Sequence, residues 1–522
     1  MTELTCDLLV VGGGMGGVAA ALAGVRSGLD VVMSEEHRWL GGQLTTQAVP
    51  PDEHPWIEWT GANRSYRQLR ELIRARYRRR PLVGAAATDP ELNPGSCWVS
   101  RLGCEPAEAA AAIETQLEPF VAAGVLRILR RHVARSVAVD ADSIRAVELA
   151  HLGGGEATVV SARYVLDATE EGDLLPLAGC EYAIGGEGRA VTGEPDNTDE
   201  PDPSCQQAIT WCFALEHRPG EDHTIARPAE YGFWRNHRAS FWPGPQLGWE
   251  TQEPETGRPL RRPLFGGGQD LWTFRRIRYG GHYPPGWTTD VTVVNWPQVD
   301  YWRAPVVDVT PEERRAALDG AEELSRSFLH WLQVDAPRPD GGTGWPGLRP
   351  VPDVLGTGDG FAQRHYTREG RRIQALTVVR QQDVGVVPAG PTERATEVAD
   401  SVGVGSYRID LHPSTCGRGY VDVPSWPFQI PLGMLIPVRL RNLLAAGKSA
   451  GTTHVTNGCF RLHPVEWSLG EAAGAIAAFS VRRDVEPAQV HAGGSLLQEF
   501  LGRLDQLGVQ RRWPEEVARQ AR

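Results

Sequence analysis

Apolar positions in this chain fall into short runs separated by glycine, proline and charge, and the first such pattern is the clearest. Leu8 to Val11 has the length of a buried strand, Gly12 to Gly17 is a turn, Val18 to Ser27 repeats as an apolar helix, and Asp30 to Met33 is a second strand, which predicts β-α-β. Glu105 to Ala123 predicts a helix opened by Pro106, where a first turn tolerates proline. Val125 to Leu129, Ser136 to Val139, Ala146 to Leu149 and Thr158 to Val160 then alternate as a small meander, and Tyr164 to Ala168 returns as a buried strand.

From about Cys180 to about Val404 the texture changes to Pro, Gly, Trp and Arg. Two helices are predicted inside it, a strong one over Pro311 to Leu332 and a weak one over about Gly360 to Val379. Asn442 to Ala446 and Val465 to Ala478 repeat the strand-then-helix pattern of the N-terminus, so the first domain is expected to be completed late in the chain. The expected division is 1–180 and 405–484 for the nucleotide-binding domain, 181–404 for a substrate domain, and 485–522 for a polar, helical C-terminal appendage.

Composition narrows the function. A chain of 522 residues, 41% hydrophobic and 23% charged, predicts a packed interior and more than one domain. The formal net charge of -12 speaks against a nucleic-acid partner. Lys448 is the single lysine. Eight dispersed cysteines fit a reducing compartment better than a disulfide scaffold and offer no structural metal site. Asp7 and the lack of a basic lead-in disfavour a signal peptide, and no apolar run has bilayer length, so a cytoplasmic protein without membrane contact is expected, compatible with a homo-oligomer.

Gly12, Gly14 and Gly17 form G-x-G-x-x-G between strand and helix, a turn whose bare backbone approaches a pyrophosphate at a helix N-terminus. Met15 and Gly16 lie within it. Glu35 stands 18 residues past Gly17, placed to accept ribose hydroxyls, with Glu36 beside it; an acid here disfavours a 2′-phosphate. A second match at Gly342, Gly344 and Gly347 follows a proline-rich, charged stretch and contains Pro346, so it predicts no second nucleotide site.

Four blocks extend the fingerprint: Leu40-Gly41-Gly42-Gln43; Asn93 to Arg101 followed by Glu105-Pro106; Val165-Leu166-Asp167-Ala168-Thr169-Glu170-Glu171-Gly172-Asp173; and Pro431, Asn442 to Lys448, Arg461-Leu462-His463-Pro464 and Gly470 to Gly474. Together they resemble the FAD-dependent oxidoreductases of the glutathione-reductase-like superfamily. Glu170 stands where that family usually has glycine. The resemblance implies an α/β fold: a Rossmann-type FAD-binding domain with a parallel sheet and small β-meander, discontinuous in sequence, plus an α+β substrate domain. It implies FAD as cofactor, with Gly41, Gly42, Gln43, Ala168, Thr169, Gly447, Lys448, Gly470 and Ala473 joining the first glycines as cofactor-binding residues. A helix starting near Pro464 would aim its positive end at the negative charge of a reduced flavin.

Reacting groups are less legible. Asp410-Leu411-His412 resembles an Asp-x-His of the family, which makes His412 a candidate for proton transfer; His454, Arg461 and His463, between the last strand and helix, are further candidates, for catalysis or for FAD contact. Cys97 and Cys104 are too far apart for the superfamily's redox disulfide, and the short spacing around His37 speaks against covalent flavin attachment. The expected activity is hydride transfer between a small organic substrate and flavin N5, by a dehydrogenase or oxidase. A monooxygenase using NAD(P)H is the alternative, disfavoured by Asp167-Ala168-Thr169 where such enzymes carry Asp-Gly. A non-catalytic flavin-bearing binding protein is the remaining class.

Overall fold

The computed structural model describes residues 2–253, 256–266, 269–388 and 390–522. Its N-terminal half is built on a sheet of seven strands. Strand β1 (Thr2–Val11) leads through helix α1 (Met15–Arg26) to β2 (Val31–Glu35), and β1 and β2 pair in parallel from Leu8–Val31 to Val11–Ser34. Helices α2 (Arg64–Tyr77) and α3 (Pro106–Ala122) lie in the crossover to β3 (Leu126–Arg130), which pairs in parallel with β2.

Two strand expectations are corrected here. The segment Val125 to Leu129, read as the first strand of the meander, belongs to the main sheet, because an α-helical crossover returns it parallel to β2. The runs Thr158 to Val160 and Tyr164 to Ala168 are one strand, β6 (Thr158–Asp167), pairing with β1 along its whole length. The antiparallel meander is thus β4 (His132–Asp140), β5 (Ser143–His151) and the first part of β6. The strand Leu443–Ala445 pairs with the other end of β6, so the sheet is discontinuous in sequence.

A second hydrophobic core, rich in aromatic side chains such as Trp234, Trp296 and Phe328, gathers residues from Ile184 to Phe361. Its antiparallel sheet comprises β7 (Phe213–His217), β8 (Arg276–Arg278), β9 (Val291–Val294) and β10 (Leu348–Pro350), in the order β8-β9-β7-β10. Helix α4 (Pro311–Val334) packs there through Ala317, Ala321, Leu324 and Phe328, and Thr310 and Glu313 close a reciprocal capping box at its start. The weak helix expected over 360–379 does not form. Its backbone is drawn out by partners in other elements: Arg364 N–H donates to Thr46 O (3.1 Å), Tyr366 and Thr210 exchange bonds, and Thr367 N–H donates to Gln47 Oε1 (3.1 Å). The rejected glycine motif at Gly342 lies in a loop closed by a Pro337–Thr343 bridge.

Helices α5 (His454–Phe460) and α6 (His463–Arg483) return the chain to the first core. Gly470 permits the tightest approach of α6 to α1, for a Cβ there would run into the Gly16 carbonyl. The C-terminal segment, expected as an appendage, is packed in. Helix α7 (Gly494–Leu507) buries Leu497, Phe500, Leu501 and Leu504 at helical spacing, and Gln510 bonds Asn63 and Thr60. Cys205 and Cys416 form a disulfide, unlike the free cysteines expected of a reducing compartment, whereas Cys97 and Cys104 are free. Among the described residues no helix is long and apolar enough to cross a membrane.

Candidate active site

A cavity of about 300 Å³ opens at the carboxyl end of β1 and β2. Gly12 turns the chain there with φ of +101°, and a Cβ on it would overlap the Ala168 carbonyl. The cavity wall carries Gly12, Gly14, Glu35, Glu36, Gly42, Ala168 and Thr169 of the sequence-derived set, together with His37, Glu170 and Arg364. Glu35 Oε2 accepts the Gly13 N–H (2.8 Å) and Oε1 the His37 N–H (2.8 Å), so this carboxylate braces the glycine turn as well as facing the cavity. Asp167 Oδ1 accepts from Thr169 N–H and Oγ1 (2.9 and 2.7 Å) and fixes the turn after β6. Two buried donors in the wall, Ser34 Oγ and Arg364 Nε, have no partner among the described residues. Unspent donors beside a side-chain-free turn at a helix N-terminus fit the adenosine diphosphate half of FAD. Met15, Gly16, Gly17, Gly470 and Ala473 are outside this wall, in the contact of α1 with α6 and the sheet.

The far end of the crevice holds buried charges. Glu170 Oε1 lies 2.8 Å from the point a Cβ on Gly14 would occupy, and Glu170 Oε2 pairs with Lys448 Nζ at 2.5 Å. Lys448 also donates to Thr367 O (2.8 Å). Glu466, in the first turn of α6, accepts the Gly16 N–H of α1 (3.3 Å) and bonds Gln43. Gly41, with φ of +108°, starts the short turn that presents Gln43, whose Nε2 also donates to Arg461 O (2.9 Å). Gly447 sits beside Glu466, with 3.6 Å from its would-be Cβ to Oε1.

Of the four proposed reacting residues, His412 and Arg461 meet at Asp410, His454 pairs with Glu369, and His463 is held by backbone alone. His412 Nδ1 is 2.6 Å from Asp300 Oδ2, and its Nε2 is 3.4 Å from Asp410 Oδ2. Asp300 also accepts from Arg368 (2.9 Å), Thr210 (2.6 Å) and Tyr420 (3.1 Å). Burial pushes the Asp300 carboxyl up, but Arg368 and His412 outweigh it and hold it at about 2. Arg461 bonds Asp410 (3.2 Å) and donates to Tyr366 Oη (2.6 Å). His454 Nδ1 meets both oxygens of Glu369 (2.9 and 3.0 Å), which Arg372 also holds. His463 has both nitrogens on backbone, Nδ1 to Asp52 N–H and Nε2 to Val49 O (each 3.1 Å), and burial pushes its ring down to about 4. That places it as a neutral brace between helix α6 and the 49–52 loop.

Sequence reasoning missed the strap Arg364–Glu369, which joins the two ends of the site. Arg364 reaches Glu36 and Glu171 at the nucleotide end. Tyr366, 2% exposed, has Arg368, Lys448 and Arg461 around its ring at 4.9, 5.5 and 5.9 Å. The dense run of ionisable residues from Arg364 to Arg372, unusual for a buried segment, was the available signal. The second family-like block lines a separate polar cavity of about 410 Å³ through Asn93, Cys97, Trp98 and Arg101, next to Glu53 and His54.

Solved structures similar to this chain include L-proline dehydrogenase from P. horikoshii, with 14% identity over 35% of this chain and 24% of that one and a TM-score of 0.19. A quinol fumarate reductase FrdA variant from E. coli shows 12% identity over 97% and 74%, TM-score 0.33. The anhydrotetracycline hydroxylase OxyS from Streptomyces rimosus shows 12% over 97% and 67%, TM-score 0.32. No curated protein sequence matches the chain. The sequence profile of the family described as FAD dependent oxidoreductase matches residues 7–501, nearly the whole chain, and this protein therefore belongs to that family of FAD-dependent enzymes.

Proposed function

We propose that this enzyme is a dehydrogenase or oxidase that exchanges a hydride between a small organic molecule and its FAD, with residues 181–404 forming the substrate domain against FAD-binding parts 1–180 and 405–484. FAD supplies the two-electron acceptor; the chain supplies orientation, exclusion of water and a route for protons. The observation that supports this reading is the buried network His412–Asp410–Arg461–Tyr366, which meets the Gly41–Gln47 turn and Lys448, the elements that the family resemblance assigns to the flavin.

Tyr366 Oη accepts from Arg461 and keeps its own proton to give, and in this reading it hands a proton to a bound substrate or takes one back. His412 bonds Asp300 through Nδ1 and faces Asp410 with Nε2 at 3.4 Å, and in this reading it keeps Asp410 and Arg461 in register. Glu369 fixes His454 at the start of α5 in the same way.

The deciding experiment is anaerobic titration of the purified yellow protein with panels of hydroxy acids, alcohols and amines, and separately with NADH and NADPH. Bleaching of the flavin by an organic donor and not by NAD(P)H is expected. Rapid bleaching by NADPH, with every organic donor inert, would replace this reading with a monooxygenase or reductase.

A further inference from the structure

The crevice between the two glycine turns carries more negative charge than a pyrophosphate site needs. Glu170 lines it, Glu466 Oε1 lies behind Gly14 at its edge, 3.4 Å from where a Cβ on that glycine would stand, and Glu466 already occupies the Gly16 N–H at the start of α1, the kind of donor that anions seek. Lys448 is the one ammonium group in contact, and it is committed to Glu170. Arg364 faces Glu170 from the strap but also serves Glu36 and Glu171. Tyr366 stands 5.5 Å from Lys448 on its other side, and Gln43 faces Glu466 from the Gly41 turn. His463, on the same helix as Glu466, is held by backbone at both nitrogens.

A doubly anionic pyrophosphate entering this crevice meets two carboxylates with one lysine between them. We propose that FAD binding is coupled to protonation of Glu466: a proton from solvent joins a Glu466 carboxylate oxygen as the cofactor's phosphates arrive, and leaves when FAD leaves. Glu170 stays ionised, because against its burial Lys448 and Arg364 hold its carboxyl below the ordinary range. Glu466 is the group ready to change, for burial pushes its carboxyl up to about 7, with Glu170 pushing the same way and Lys448 pulling back. The added phosphate charge raises it further. Proton uptake on binding therefore occurs where Glu466 is ionised in the FAD-free chain, above about pH 7, and vanishes below it.

Released FAD fluoresces, so the bound fraction of diluted holoenzyme gives Kd at each pH. The expected Kd is level below about pH 6 and rises by up to tenfold per pH unit above about pH 7. In Glu466→Gln, which keeps the shape without the charge, the rise should disappear. A Kd that is level from about pH 6 to about pH 9, or a rise that survives in Glu466→Gln, would overturn the proposal. If that variant fails to fold, wild-type holoenzyme diluted into weak buffer with an indicator dye should release about one proton per FAD lost near pH 8. No release there would overturn it equally.

Discussion

His412 and Asp300 meet at 2.6 Å, although 112 residues separate them, and the contact ties the end of the strand Ile409–Leu411 to the two-residue strand Asp300–Tyr301, which pairs with Ile209–Thr210. Asp300 is 1% exposed and has Arg368 on its other oxygen. Removing one member strands Asp300 or Arg368, which are 1% and 2% exposed. Asp300→Asn or His412→Ala should therefore cost on the order of 3–5 kcal/mol of stability. Thermal melts would show it; a melting temperature unchanged in both variants would mean that the pair carries no weight in the fold.

The same pair predicts an acid response. Asp300 is held at about 2, below its ordinary unfolded value, so its contribution is complete above about pH 4 and is lost as pH falls from about 4 toward about 2. The depression amounts to about 2 kcal/mol. His412→Ala removes part of the attraction, and its acid unfolding should begin at higher pH than that of the wild type. Identical acid midpoints by circular dichroism would contradict this.

Gly14→Val should give protein without flavin. The added methyls occupy the crevice where Glu170 already approaches to 2.8 Å, and Gly14 caps the N-terminus of α1. Flavin absorbance per chain reads the outcome directly. Full occupancy in the variant would place the pyrophosphate elsewhere.

Glu35→Ala removes the acceptor expected for ribose and, in the same step, the brace on Gly13 and His37. Charge-assisted bonds of this kind are worth roughly 1.5–3 kcal/mol, so FAD should bind about tenfold to a hundredfold more weakly. Equilibrium dialysis checks it, and an unchanged Kd would remove Glu35 from the site.

Reducing the Cys205–Cys416 disulfide should release two thiols, of which Cys416 is exposed, while the six other cysteines are buried and stay unreactive in the native protein. The bridge spans 211 residues of sequence, and its loss should lower stability by about 2–4 kcal/mol. Thiol counts before and after reduction, with melts on the same samples, test both parts. An equal thiol count would show that the bond does not form.

The β-α-β start and the last strand and helix were legible because their signals are local: unbroken apolar runs, glycines at fixed offsets, one acid at the right distance. Asp300, Tyr366 and Glu369 left no such trace. Each gains its meaning from partners far away in sequence, as Tyr366 does from Arg461, and a lone Asp or Tyr among prolines and tryptophans looks like surface. The strap failed for a related reason. Its weak helical periodicity lost to backbone bonds with Thr46, Gln47 and Thr210 that no local window contains. His412 was found by motif, but a motif does not show its 2.6 Å pairing with Asp300.

The strand Leu443–Ala445 completes the main sheet against β6, and Gln510 reaches back to Thr60 and Asn63. During synthesis the first β-α-β unit leaves the ribosome hundreds of residues before the strand that completes its sheet. Until then Glu170 lacks its lysine, and β6 presents an open edge to other nascent chains. Acquisition of FAD is thereby deferred until residues 443–448 have been made, and a chain truncated before that strand should be a target for chaperones, with no cofactor to stabilise it.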